Sequence, residues 1–249
     1  MSSLSSSPVS SGVVDGGGFA ATHWTVVITA AREPGSVQAG QALAELCQTY
    51  WFPLYAYLRR RGERADVAED LTQSFFIRLL SPQFLAHVDR KKGRFRAFLL
   101  KSLQNFLADE RDRAHAQRRG GGRSIVSFDA LDAEARYHLE PADHLTPEKL
   151  FDKQWALSVL QRVLNRLHEE SAAAGKAALF VAIQPTLTER DSASYSVIAS
   201  RLGMTEDAVK SAAYRFRKRL RELLISEISQ TVADRSEIDD EIRDLMTSL

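Results

Sequence analysis

The sequence predicts an all-α protein of two helical domains joined by a flexible linker, the C-terminal one a helix-turn-helix. Apolar residues recur at spacings of three and four, as in Leu43, Leu46, Tyr50, Leu54, Tyr57 and Leu58, the period of a helix with one buried face. Strict apolar and polar alternation, the mark of a half-buried strand, is scarce. Of 249 residues, 44% are hydrophobic and 26% charged, which is globular composition and excludes wholesale disorder. At roughly 150 residues per domain, that length fits one large domain or two small ones.

Lys plus Arg is 33 and Asp plus Glu is 32, a net of +1, so bulk charge points to no polyanionic partner and any charge logic is local. A single cysteine, Cys47, excludes an intrachain disulfide and a cysteine-based metal cluster and fits a reducing compartment. No apolar run approaches the roughly 18 to 20 residues that span a bilayer. The first residues lack the basic start and apolar middle of a secretory signal, so the cytoplasm is the expected location.

Residues 1–22 are rich in Ser and Gly and read as a flexible tail. The first domain is expected over 23–123. Its first helix carries Pro53, expected to kink or break it near Phe52. A second helix runs from Asp66 to Leu80 on Leu71, Phe75, Ile77, Leu79 and Leu80, with Asp66, Glu69 and Asp70 favourably placed at its start. Ser81-Pro82 ends it, and a third helix runs from about Phe95 to His115, between Gly93 and the glycines at 120 to 122. Mixed composition and prolines at 141 and 147 mark 124–150 as a linker. The second domain, 151–226, opens on the pattern Trp155, Leu157, Leu160, Val163, Leu164 and Leu167, and continues in a helix from Ala172 to Ile183 that Pro185 stops. Helices over Tyr195 to Leu202 and from Thr205 through Leu224 complete it.

The sharpest local feature is the pair of helices between Tyr195 and Leu224. Gly203 gives a tight turn, Ala199 permits close helix contact, and Thr205 is placed to cap the second helix, the signature of a helix-turn-helix. Val209, Ala213, Phe216, Leu220 and Leu223 form the apolar stripe of that helix. From Lys210 to Arg221 there are six basic residues and no acidic one, a net of +6. Thr205, Lys210, Ser211, Tyr214, Arg215 and Lys218 are therefore the candidate contacts to duplex DNA, early residues reaching base edges and later cations holding phosphates. The competing reading is a solvated basic face on an ordinary surface helix.

Arg90 to Arg123 holds eleven basic residues against three acidic, a net of +8. Phe95, Phe98 and Phe106 lie among the cations, a combination suited to strand-separated DNA. Aromatics at helical spacing also build cores, and both readings stand for each phenylalanine. The candidates here are Arg94, Phe95, Arg96, Phe98, Lys101, Asn105, Arg111, Arg113, Arg118 and Arg119. Asn105 and Asp109, four apart, either hydrogen-bond along the helix or serve the site. Glu227 to Asp244 has seven acids and two bases, a net of −5, and residues 227–249 are expected to form an acidic extension with a solvated helix.

Phosphate-loop, zincin, nucleophile-elbow and dinucleotide motifs are all lacking in the sequence. The carboxylate clusters read as helix starts and surface charge, so no enzyme activity, metal or cofactor is expected.

Two blocks in order resemble one family, the small two-domain extracytoplasmic-function (ECF) sigma factors of bacterial RNA polymerase, over most of residues 40 to 226. The first block includes Tyr50-Trp51-Phe52-Pro53-Leu54-Tyr55-Ala56-Tyr57-Leu58, Ala68 through Leu80, and Phe95-Arg96-Ala97-Phe98-Leu99 through Asn105 and Asp109. The second block is the helix-turn-helix. The resemblance implies that Asp70, Leu71, Gln73 and Phe76 dock on the clamp helices of the polymerase largest subunit. It implies that the candidates of Arg90 to Arg123 melt and hold the minus-ten promoter element, and that those of the second domain read the minus-thirty-five element. It also implies contact with the flap of the second-largest subunit and the possibility of an anti-sigma partner. Phe98 stands where the family usually has tryptophan, Ala213-Tyr214 replaces a more common polar and histidine pair, and Asp112 is an unusual acid in the basic segment. The expected function is thus a sigma factor. The alternative is a stand-alone helix-turn-helix regulator whose first domain serves dimerisation or ligand binding.

Overall fold

The structure, a computed structural model, describes residues 37–81, 84, 93–116, 130–139, 145–188 and 193–249. Every regular element among the described residues is a helix, as the period of the apolar residues predicts, and none of these helices is long and apolar enough to cross a membrane.

Helix α1 (Val37–Arg60) is buried on all sides between Thr49 and Leu58. That burial accounts for a departure from expectation at Pro53. The ring costs one backbone hydrogen bond, yet α1 runs through it unbroken, because Tyr50, Leu54, Tyr57 and Leu58 each find a partner surface only if the helix continues. It ends at Gly62, where φ is +93°, and the Glu63 amide donates to the Leu58 carbonyl at 3.2 Å, a closure that needs the left-handed conformation glycine favours. Helix α2 (Ala65–Leu79) buries Ala68, Phe75, Phe76 and Leu79. Helix α3 (Phe95–Ala116) buries Phe95, Leu99, Leu103, Phe106 and Leu107.

Several elements differ from the sequence expectation. Within the expected linker lies helix α4 (Ala130–Leu139), held to α1 by the Glu134 carboxylate, which accepts from Arg59 at 2.6 and 2.9 Å and from the Tyr55 hydroxyl. Helix α5 (Pro147–Ala173) opens on a Thr146 cap, its hydroxyl accepting from the Lys149 amide at 3.3 Å. Its first half, Leu150 to Val159, closes the core formed by α1, α2 and α3. Its second half, Val163 to Leu167, packs with Phe180 and Leu223. Packing therefore does not divide at 124–150; one helix serves both halves. The single helix expected over Ala172 to Ile183 is broken at Gly175, with φ at +69°, and resumes as α6 (Ala177–Ile183). Pro185 starts the short α7 (Pro185–Thr188) rather than only ending its predecessor.

Helices α8 (Tyr195–Leu202) and α9 (Glu206–Ile228) pack on α6 through Ile183, Ile198, Ala199, Val209, Ala212 and Ala213. The acidic segment departs as well. After a 3-10 turn at Arg235–Glu237, helix α10 (Ile238–Ser248) does not stand free in solvent. Leu245 is fully buried, Ile238 and Ile242 pack on the first core, and the Thr231 carbonyl accepts from the Phe95 amide at 2.8 Å. The apolar residues of α10 at 238, 242 and 245 fall on one face, which overrides the solvation of its charges.

Phe151 lies in α5 yet is buried with the first three helices. Replacing Phe151 with Ala is expected to lower stability by about 3 to 5 kcal/mol in urea denaturation followed by tryptophan fluorescence. A loss below about 1 kcal/mol, the range of surface substitutions and small repacking, would mean that α5 does not close that core.

Candidate nucleic-acid interface

Helix α9 presents a charged face because its apolar residues turn inward at 209, 212, 213 and 223. Thr205 caps the helix, its hydroxyl accepting from the Ala208 amide at 3.2 Å. The turn before it holds Gly203 at φ +64°, and the Met204 amide donates to the Ala199 carbonyl at 3.0 Å. This fixes α9 against α8. Ser211, Tyr214, Arg215 and Lys218 are all exposed, Tyr214 at 70%.

The six cations of α9 are not equivalent. Lys210 sits 2.9 Å from Glu206, which holds its ammonium above the ordinary lysine value. Arg219 forks onto Glu170, its Nε and Nη2 each donating at 2.8 Å, and its Nη1 donates to Glu222 at 3.0 Å. Arg217 donates to the Thr186 carbonyl at 3.0 Å and to the Tyr195 hydroxyl at 2.8 Å, tying α9 to α7 and α8. Among the described residues Arg215, Lys218 and Arg221 are exposed with no carboxylate paired to them. Phosphates attract such cations without first having to displace an internal anion.

The candidates of the basic segment divide three ways. Lys101, Asn105 and Arg111 are exposed along one side of α3, with Arg111 3.9 Å from Glu63. Phe95 and Phe106 are core residues, and Phe98 is half-buried against Phe84 and Phe95 at ring distances of 6.2 and 6.0 Å. Of the two readings open for these rings, packing holds for Phe95 and Phe106. Asp109 does not bond along its own helix; it accepts from Arg78 of α2 at 2.5 Å. Arg113 lies on α3 with its side chain outside the described residues, as are Arg118 and Arg119 altogether.

Arg94 and Arg96 lie in a different environment. Arg96, its side chain 10% exposed, donates to Glu241 at 2.7 and 3.1 Å, to Asp244 at 3.3 Å and to Asp152. Its guanidinium also stands 4.8 Å over the Trp155 ring. Arg94 pairs with Glu241 at 3.0 Å and with Asp244. Burial pushes the Asp152 carboxyl up, against the pull of Arg96. These two arginines are thus occupied by internal carboxylates, and those partners were not candidates in the sequence. The signal available was the spacing of Glu241, Asp244 and Leu245, which puts acid and apolar residues on adjoining helix faces.

On α2, Asp70 is exposed, Leu71 is half-buried, and Gln73 and Phe76 are buried. Gln73 donates to Glu69 at 3.1 Å, so of the four candidates for docking only Asp70 is fully presented to solvent. Asp70 has Val67, Ser74 and Ile77 as its exposed neighbours instead, a mixed apolar and acidic stripe. Burial pushes the Cys47 thiol up to about 11, which leaves it a poor nucleophile. No group of three or more His, Cys, Asp or Glu among the described residues is placed to hold a metal.

No family model, no curated protein and no solved structure matches the chain.

Two ion pairs that hold this framework are acid-sensitive. Arg59 holds the Glu134 carboxyl below its ordinary 4.5, and Arg219 does the same for Glu170. Both bind protons more weakly folded than unfolded, so their stabilisation is complete above the ordinary value and is lost as pH falls through the lowered ones. Glu134→Gln is expected to flatten the acid limb of a plot of Tm against pH; an unchanged limb would remove Glu134 from that role.

Proposed function

We propose that the chain is a sigma factor: it binds core RNA polymerase and directs promoter recognition, DNA melting and transcription initiation. The observation that carries this reading is the order of the two motif blocks along the sequence, first Tyr50 through Asp109 and then Tyr195 through Leu224. The exposed, unpaired Arg215 and Lys218 on α9 support duplex contact at an upstream element. Lys101, Asn105 and Arg111 on α3 support contact with the strand-separated downstream element. The stripe of Val67, Asp70, Ser74 and Ile77 on α2 supports docking on a basic, partly apolar polymerase surface. In this reading the protein is a binding subunit of the cytoplasm and not an enzyme, and it needs no metal or cofactor. Two weak DNA contacts on one molecule gain affinity from their effective concentration once polymerase holds them in place.

One observation favours the alternative of a stand-alone regulator. The halves of the chain share a core through α5, and a rigid pair of DNA surfaces suits a protein that binds without polymerase. Gel filtration with core polymerase separates the two readings. Co-elution followed by open-complex formation on a promoter library is the sigma outcome, and tight duplex binding with no affinity for core is the regulator outcome.

Asp70→Ala is expected to weaken core binding while leaving Tm unchanged, since Asp70 is exposed. Wild-type affinity would remove Asp70 from the docking surface. Arg215→Ala is expected to cost about 1 to 3 kcal/mol of duplex affinity if it reads a base, and Lys218→Ala to lower the salt slope by about one if it holds a phosphate. Titrations on matched and mismatched promoter duplexes at several salt concentrations distinguish these roles.

A further inference from the structure

The carboxylates of α10 occupy two arginines of the most basic segment in the chain. Glu241 is fully buried and lies between Arg94 and Arg96, Asp244 touches both, and Asp152 of α5 completes a set of three carboxylates around two guanidiniums. A guanidinium presents the same fork of donors to a carboxylate as to a phosphate. The acids of α10 therefore stand where the phosphates of a nucleic acid would bind. The charges match on a larger scale too, net −5 over Glu227 to Asp244 against net +8 over Arg90 to Arg123.

The attachment of α10 is shallow. Of its eleven residues only Glu241 and Leu245 are buried, Ile238 and Ile242 pack partly, and Asp239, Asp240, Arg243, Met246 and Thr247 face solvent. An element held by so few buried side chains opens at a lower free-energy cost than the whole fold. Its ion pairs with Arg94 and Arg96 fix how it docks, and those pairs are what a competing polyanion removes.

We propose that α10 is an internal latch: its carboxylates hold Arg94 and Arg96 away from nucleic-acid phosphates, and a nucleic acid that engages the basic segment displaces it. This rests on the nucleic-acid reading of α3 given above. Because the two anions compete for the same guanidiniums, each must lower the apparent affinity of the other by the same factor.

Hydrogen exchange on the full-length wild-type chain, with and without a saturating single-stranded oligothymidylate, tests this directly. Amides of 238–248 are expected to exchange faster with the oligonucleotide bound, while those of 50–58 in α1 stay protected. In parallel, Glu241→Gln with Asp244→Asn is expected to bind the oligonucleotide about tenfold more tightly, within the range that coupling between sites takes, and Arg94→Ala with Arg96→Ala should abolish the gain. Asp244 is partly exposed, so Asp244→Asn alone provides a variant that keeps the fold and a smaller gain. Oligonucleotide binding with unchanged or slower exchange over 238–248, or equal affinity in the carboxylate variants, overturns the latch and leaves the nucleic-acid reading standing. If neither the wild type nor the variants bind the oligonucleotide, both fall together.

Discussion

Helix α5 sets the distance between the two candidate DNA surfaces, because its first half closes the core beneath α3 and its second half supports α6 and α9. Its 27 residues make a rod of about 40 Å without a glycine or an internal proline to bend it. Leu150, Phe151, Trp155 and Val159 bury in the core that α1 dominates, and Val163, Leu164 and Leu167 bury with Phe180 and Leu223, with Phe216 and Leu220 packed alongside. The orientation of α9 relative to α3 is thus a consequence of side-chain packing along one helix. Glu170 reinforces it by holding Arg219 of α9 from the last turns of α5.

Within that frame, function depends on which cations are already neutralised. Arg59, Arg78, Arg96 and Arg219 are bound to carboxylates across helices, and their role is to position α4, α3, α10 and α9. Such pairs gain little net stability where burial strips both partners of water, but they fix geometry, since a fork of donors accepts a carboxylate in few orientations. Arg215, Lys218 and Arg221 are left for an external anion on α9, and Lys101 on α3, with Arg111 beside it only loosely paired to Glu63. A polyanion meets two separate patches on a chain of net charge +1, so binding at either alone is weak and strongly salt-dependent.

Much of the fold was legible in the sequence because apolar periodicity records which face of each helix is buried; α2 and α8 begin and end, and α9 begins, within a residue of where their caps, glycines and periodicity place them, while α9 runs on past Leu224 to Ile228. Pro53 misled because the rule weighs one lost hydrogen bond, whereas the aromatic and leucine side chains on every side of α1 outweigh it. Helix α4 escaped notice because it buries little beyond Ala133 and is held by the polar contacts of Glu134. The cationic face of α9 was legible, since a local stripe suffices to define it. The partners of Arg94 and Arg96 were not, because Glu241 lies 145 residues beyond Arg96 and charge sign alone does not say which acids meet which bases.

Under the proposed function, one chain engages a promoter at two places, as duplex through α9 and as separated strands through α3, and does so as part of the polymerase. Permanganate and nuclease footprinting of the full-length protein with core polymerase on a selected promoter tests it most directly. Two protected patches, with reactive unpaired thymines confined to the downstream one and seen only when polymerase is present, is the predicted result. A single symmetric footprint formed without polymerase, with every thymine unreactive, would contradict it.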